Sequence, residues 1–204
     1  MNQSVSFGPM RLPILAALVI ILTVAACGGG SGGPSGNGAN LLENPGGEQN
    51  ASGYVGHGGA TVSQDTTTAG EGAASVKVII PDGQGAGVQV WKADGVTMTA
   101  VSADSEYELS ADVKGDAGKT ARLEILWHSA AGAFLVTTLG DIFFLPVDGF
   151  KRFTLTTEAP EGAGLAVPQI VTDVAPGGPL TVWVDDLRFV QTSGSDTPAP
   201  SPSP

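Results

Sequence analysis

"SEYELSADVK" (Ser105–Lys114) and "ARLEILWH" (Ala121–His128) alternate apolar and polar residues. A side-chain period of two belongs to a strand with one face on a core and the other on water. The pattern predicts two antiparallel strands and sorts their faces. Tyr107, Leu109, Ala111 and Val113 point inward on the first, leaving Glu108, Ser110 and Asp112 outside. Leu123, Ile125 and Trp127 point inward on the second, leaving Arg122, Glu124 and His128 outside.

The same pattern spreads in both directions. "ASVKVII" (Ala74–Ile80), "GVQVW" (Gly87–Trp91), "KRFTLTT" (Lys151–Thr157) and "LTVWVDDLRFV" (Leu180–Val190) are short alternating runs separated by Gly, Pro, Asp and Asn. Six or more such strands without an amphipathic helix predict an all-β domain, an antiparallel β-sandwich of the jelly-roll kind. A closed up-and-down barrel fits less well because the connections vary widely in length. In "GVQVW" Val88 and Val90 take the core side, which turns Gln89 and Trp91 outward. A large ring on the water side needs something to cover it.

Composition bounds the partners. The chain has 204 residues with 30 Gly and 14 Pro, which argues against long helices. Nine Lys and Arg against 20 Asp and Glu leave a formal net charge of −11, which disfavours nucleic acid and anionic lipid surfaces. One cysteine permits no internal disulfide, so stability must come from burial or a metal. A domain of about 150 residues buries roughly two-thirds of its unfolded surface, enough for its own core and for a monomer.

The ends read differently. Residues 1–26 comprise a leader with Arg11 and an uncharged apolar run, "LPILAALVIILTVAA" (Leu12–Ala26). Fifteen residues fall short of the ~20 that span a bilayer as a helix, so the segment reads as a secretion signal. Residues 27–39 are a Gly-rich tether, residues 40–191 the folded module, and residues 192–204 a Pro- and Ser-rich tail expected to be disordered.

"VAAC" (Val24–Cys27) resembles the lipobox of bacterial lipoproteins. The resemblance implies cleavage before Cys27, acyl chains on its thiol and amine, and a module held by lipid at the bacterial cell envelope, facing away from the cytoplasm. Several acyl chains, each worth about 0.8 kcal/mol per buried methylene, give durable attachment.

Within the module, "NLLENPGGE" (Asn40–Glu48), "SEYELSADVKG", "ARLEILWHSAAG", "FKRFTLTTEAPEGAG" and "VWVDDLRFV" follow one another in the order and rough spacing of carbohydrate-binding modules of the CenC type. These are family 4, 9 and 22-like jelly rolls, and the resemblance covers nearly all of residues 40–190. Gly47 departs from it, standing where the family usually has an aromatic, so the first strand is expected to pack differently. The resemblance implies a structural calcium ion held by Glu48 and Asp185, with Asp186 beside them; carboxylates suit a hard cation. It also implies glycan binding through a stacking aromatic with amides and carboxylates beside it, for which Trp91, Gln89, Glu124 and Asp112 are the outward candidates.

Catalysis finds no constellation. His57 and His128 have no acidic or cysteine partners at metal spacing, and no nucleophile-elbow motif occurs. "GQGAG" (Gly83–Gly87) precedes a strand and lacks the lysine of a phosphate loop, so it reads as a turn. A non-catalytic glycan-binding lipoprotein is the leading reading. A structural or protein-interaction sandwich without a sugar site, and a small glycoside hydrolase or accessory module of one, are the alternatives.

Overall fold

The computed structural model describes residues 38–82, 85–172 and 178–193. Cys27, the signal, most of the tether, Gly83 and Gln84 of the glycine turn, and residues 194–204 of the tail lie outside the described residues.

Twelve strands form among the described residues. In chain order they are β1 Tyr54–His57, β2 Thr61–Asp65, β3 Ser75–Ile80, β4 Gly87–Val90, β5 Thr99–Ala100 and β6 Glu106–Gly115. β7 Thr120–Ser129, β8 Phe134–Leu139, β9 Phe143–Phe144, β10 Lys151–Glu158, β11 Ala163–Thr172 and β12 Leu180–Ser193 follow. The first sheet runs β1-β4-β11-β7-β8, with β5 added to β11 and β9 to β7. The second runs β10-β6-β12-β3-β2. All pairings are antiparallel, and the chain passes repeatedly between the sheets, the path of a jelly-roll sandwich.

All six strands read from alternation form. The inward residues of β6 and β7 are buried, as are Val88 and Val90 of β4. Trp127, Tyr107 and Phe189 meet at the centre, with ring centroids 5.2–6.4 Å apart. Each polar tip is satisfied: the Tyr107 hydroxyl accepts from Ser102 N at 2.8 Å, and Trp127 Nε1 donates to Thr138 Oγ1 at 2.9 Å.

β12 breaks strict alternation. Leu180, Val182 and Val184 face the core, but so do Leu187 and Phe189, an odd step later. The register with β6 slips between Asp185 and Arg188, and Asp186 has φ +36°, so a β-bulge resets the phase. The strand also continues to Ser193, two residues past the expected end of the module.

Alternation fails to reveal β11. It lies between β4 and β7, is covered on both faces, and contains Pro168, which cannot donate to a ladder. Pro168 is tolerated because β11 pairs β5 through Leu165 and Ala166 and β4 from Gln169 onward, so the proline sits in the gap. No strand forms over residues 40–48; Gly47 takes φ +70° there, and a Cβ would lie 2.6 Å from Val76 Cγ2. An aromatic has no room at that position.

The fully buried Trp127 sets a measurable expectation. Trp127→Ala should open a cavity and cost about 3–5 kcal/mol, read as a lowered denaturant midpoint at unchanged slope.

Candidate functional site

The outer face of the β1-β4-β11-β7-β8 sheet carries one continuous row of side chains. Register places Val55, Gln89, Gln169, Glu124 and Leu139 side by side across the five strands. The polar members are hydrogen-bonded in sequence. Trp91 Nε1 donates to Gln89 Oε1 at 3.3 Å, and Gln89 Nε2 donates to Gln169 Oε1 at 3.1 Å. Gln169 Nε2 donates to Glu124 Oε2 at 2.5 Å, and Arg122 Nε donates to Glu124 Oε1, also at 2.5 Å.

The row accounts for the position of each member. Gln89 and Trp91 share the parity that leaves Val88 and Val90 inside. Glu124 and Arg122 occupy the outward positions of β7, and Gln169 bridges the two strands from β11. Gln169 was invisible to sequence reasoning because Pro168 and two-sided burial hide its strand. Arg122 was recognised as outward without being assigned a role.

Glu124 faces away from the core yet is buried, with 4% of its surface exposed, which corrects the expectation of a solvated side chain. Arg122 and Gln169 cover it and satisfy both its oxygens, as a buried carboxylate requires. Ser110 is likewise outward by parity but buried. Trp91 is half-buried. The two terminal amino groups of Arg122 donate to no acceptor among the described residues, so up to four N–H donors stand free beside the row.

His57 lies on the same face, opposite Gly87, and its Nε2 is buried without a partner among the described residues. Burial pushes its pKa down, with the Glu124 charge acting in the opposite sense. His128 is further along, its Nδ1 3.2 Å from Gly132 O and its ring edge-on to Phe134.

Asp112 is not part of this row. It lies on β6 in the other sheet, where Arg152 Nε donates to its Oδ1 at 2.8 Å and Arg152 Nη2 to its Oδ2 at 3.1 Å. Equal parity on two strands does not place them in the same sheet.

The three acidic residues expected at a calcium site divide. Glu48 and Asp185 approach one another around Gly46, where a Cβ would lie 3.0 Å from Asp185 Oδ1 and 3.8 Å from Glu48 Oε1. Asp185 is buried without a cationic side chain, and burial raises its pKa despite bonds from the N–H groups of Gly70, Glu71 and Asp186. Glu48 accepts from the N–H groups of Ala73 and Ala74. Asp186, at the bulge, pairs instead with Arg152. Among the described residues no three His, Cys, Asp or Glu side chains gather at metal spacing. Three of the four carboxylate oxygens accept backbone N–H groups, Glu48 Oε2 accepts none among the described residues, and carboxylates are the ligand type a hard cation takes.

No protein-family model matches the chain, and no curated protein matches it. Solved structures do. The CBM22-1 xylan-binding domain from Paenibacillus barcinonensis superimposes with a TM-score of 0.60 at 16% identity, covering 78% of this chain and 97% of that one. The C-terminal family 22 carbohydrate-binding module of a Clostridium thermocellum protein gives 0.57 at 14% identity, covering 72% and 91%. A family 16 carbohydrate-binding module gives 0.53 at 17%, covering 74% and 100%. This chain therefore has the jelly-roll fold of carbohydrate-binding modules, and these near end-to-end matches are binding modules in their own right.

Proposed function

We propose that this protein binds a polysaccharide without catalysis, through the Trp91–Gln89–Gln169–Glu124–Arg122 row. The row supports the reading by its chemistry. An indole can stack on the C–H face of a pyranose, while Arg122 offers free donors to sugar hydroxyls and the locked amides hold the geometry. Because the network is preformed, binding needs little ordering of side chains. The xylan-binding name of a fold neighbour makes xylan the first polysaccharide to try.

With one ring and a few hydroxyl contacts, affinity is expected on the order of micromolar to millimolar. The full chain should be retained by at least one polysaccharide in a panel that includes xylan. Trp91→Ala should weaken retention by roughly tenfold or more while leaving the melting temperature nearly unchanged, since the half-buried ring lies outside the core. Unfolding of that variant would make the ring structural and remove the platform. Absence of binding across the panel would favour the interaction-domain reading.

Glu48 and Asp185 are proposed to hold one calcium ion that ties the start of the module to β12. Added calcium should then raise the melting temperature by binding the native state preferentially. Asp185→Ala should abolish the rise, and an unresponsive parent would remove the site.

Cys27 is proposed to carry the lipid that holds the module at the bacterial cell envelope. Cys27→Ser should fail to label with a fatty-acid analogue, and labelling at the parent level would exclude the anchor.

A further inference from the structure

The outer face of the opposite sheet carries a second aromatic. Trp183 of β12 stands directly between Lys77 of β3 and Lys114 of β6 in the strand register. Both ammonium groups lie over its ring, each 5.7 Å from the centroid. The indole is fixed from its other end, with Nε1 donating to Asp65 Oδ2 at 2.9 Å. Asp65 is itself occupied, its Oδ1 accepting from Thr67 N, Thr67 Oγ1 and Thr68 N. These donors hold its carboxyl well below the usual range, and no bond joins it to either lysine among the described residues.

The arrangement is unusual for this chain. It has nine Lys and Arg in all, and Lys92, Arg122 and Arg152 each have a carboxylate partner. Lys77 and Lys114 have none among the described residues, yet both converge on one ring. Two ammonium groups flanking an indole repel each other, and an anion between them relieves that repulsion. Screening over about 8 Å at physiological salt lets this local pair act against the overall negative charge.

Space adjoins Lys114. A groove of about 470 Å³ borders Lys114 and is lined by Thr67, Thr68, Asp148 and Phe150. Thr67 and Thr68 are tied through Asp65 to Trp183, so ring and groove wall form one rigid unit. Asp148 on the rim repels an acidic group, which therefore favours the lysine end of the groove.

We propose that Trp183, Lys77 and Lys114 form a second glycan site, selective for an anionic pyranose and independent of the Trp91 face. The C–H face of the sugar stacks on the indole, and its acidic group lies between the two ammonium groups, whose flexible stems let them close on it. A uronate carboxylate and a sulfate ester share this chemistry.

Affinity electrophoresis of the full chain through polygalacturonate, dextran sulfate and neutral xylan tests the site. The parent should be retarded by polygalacturonate, and raised salt should weaken the effect. The Lys77→Gln/Lys114→Gln pair should lose affinity on the order of tenfold, as expected for losing charge-assisted bonds. Lys151→Gln removes a cation from the edge strand of the same sheet and should change little, and Trp91→Ala should leave this retardation intact. Retardation by dextran sulfate alone, still dependent on the lysine pair, would assign the ligand as the sulfate ester. Equal losses from Lys151→Gln and the lysine pair would mean diffuse charge and overturn the site, as would no retardation by either acidic polymer. Trp183→Ala should also lose binding; if that variant melts, the lysine pair alone carries the test.

Discussion

The bulge at Asp185–Asp186 is the constraint on which much of the molecule depends. β12 lies between β6 and β3 and contributes core residues from both its halves. Without an extra residue, Leu187 and Phe189 would face water and the Tyr107–Trp127–Phe189 cluster would lose a member. The bulge also gives adjacent aspartates different partners. Asp185 is buried against the loop at residues 70–74, and Asp186 swings out to Arg152. One local irregularity thus sets the core, the acidic cradle and the outer face of a sheet.

The other sheet carries a different device. Placing Glu124 on its outer face, under Arg122 and beside Gln169, buries a charge that would be costly alone. Its partners satisfy it and are held in place by it, so the row from Trp91 to Arg122 behaves as a unit. Removing one partner leaves a buried group unpaired, whereas changing the ring at the end of the row leaves the network standing. The indole is thus peripheral to a polar network that holds itself together.

The two outer faces differ in charge and in how their polar groups are satisfied. On the Trp91 face Arg122 and Glu124 neutralise one another through the Nε–Oε1 pair. On the Trp183 face Lys77 and Lys114 lie over one ring, and neither has a carboxylate partner among the described residues. A sandwich presents two sheets to solvent, and here each presents one tryptophan.

Alternation determined the strands that have one wet face. β6, β7 and the first half of β12 could be read residue by residue because water on one side and core on the other imposes a period of two. It also determined that Gln89 and Trp91 point away from the core. What it could not supply was anything depending on which strands become neighbours. Asp112 and Glu124 have equal parity but lie in different sheets, and Asp186 is next to Asp185 in sequence but bonds a different partner, Arg152. Gln169, the centre of the row, lies in a strand covered on both sides and interrupted by a proline, where no alternation survives. Parity is local, set by the geometry of one strand; neighbourhood is set by pairing between segments far apart in the chain, 80 residues for Gln89 and Gln169, and only the folded sheet brings Gln89, Gln169 and Glu124 together.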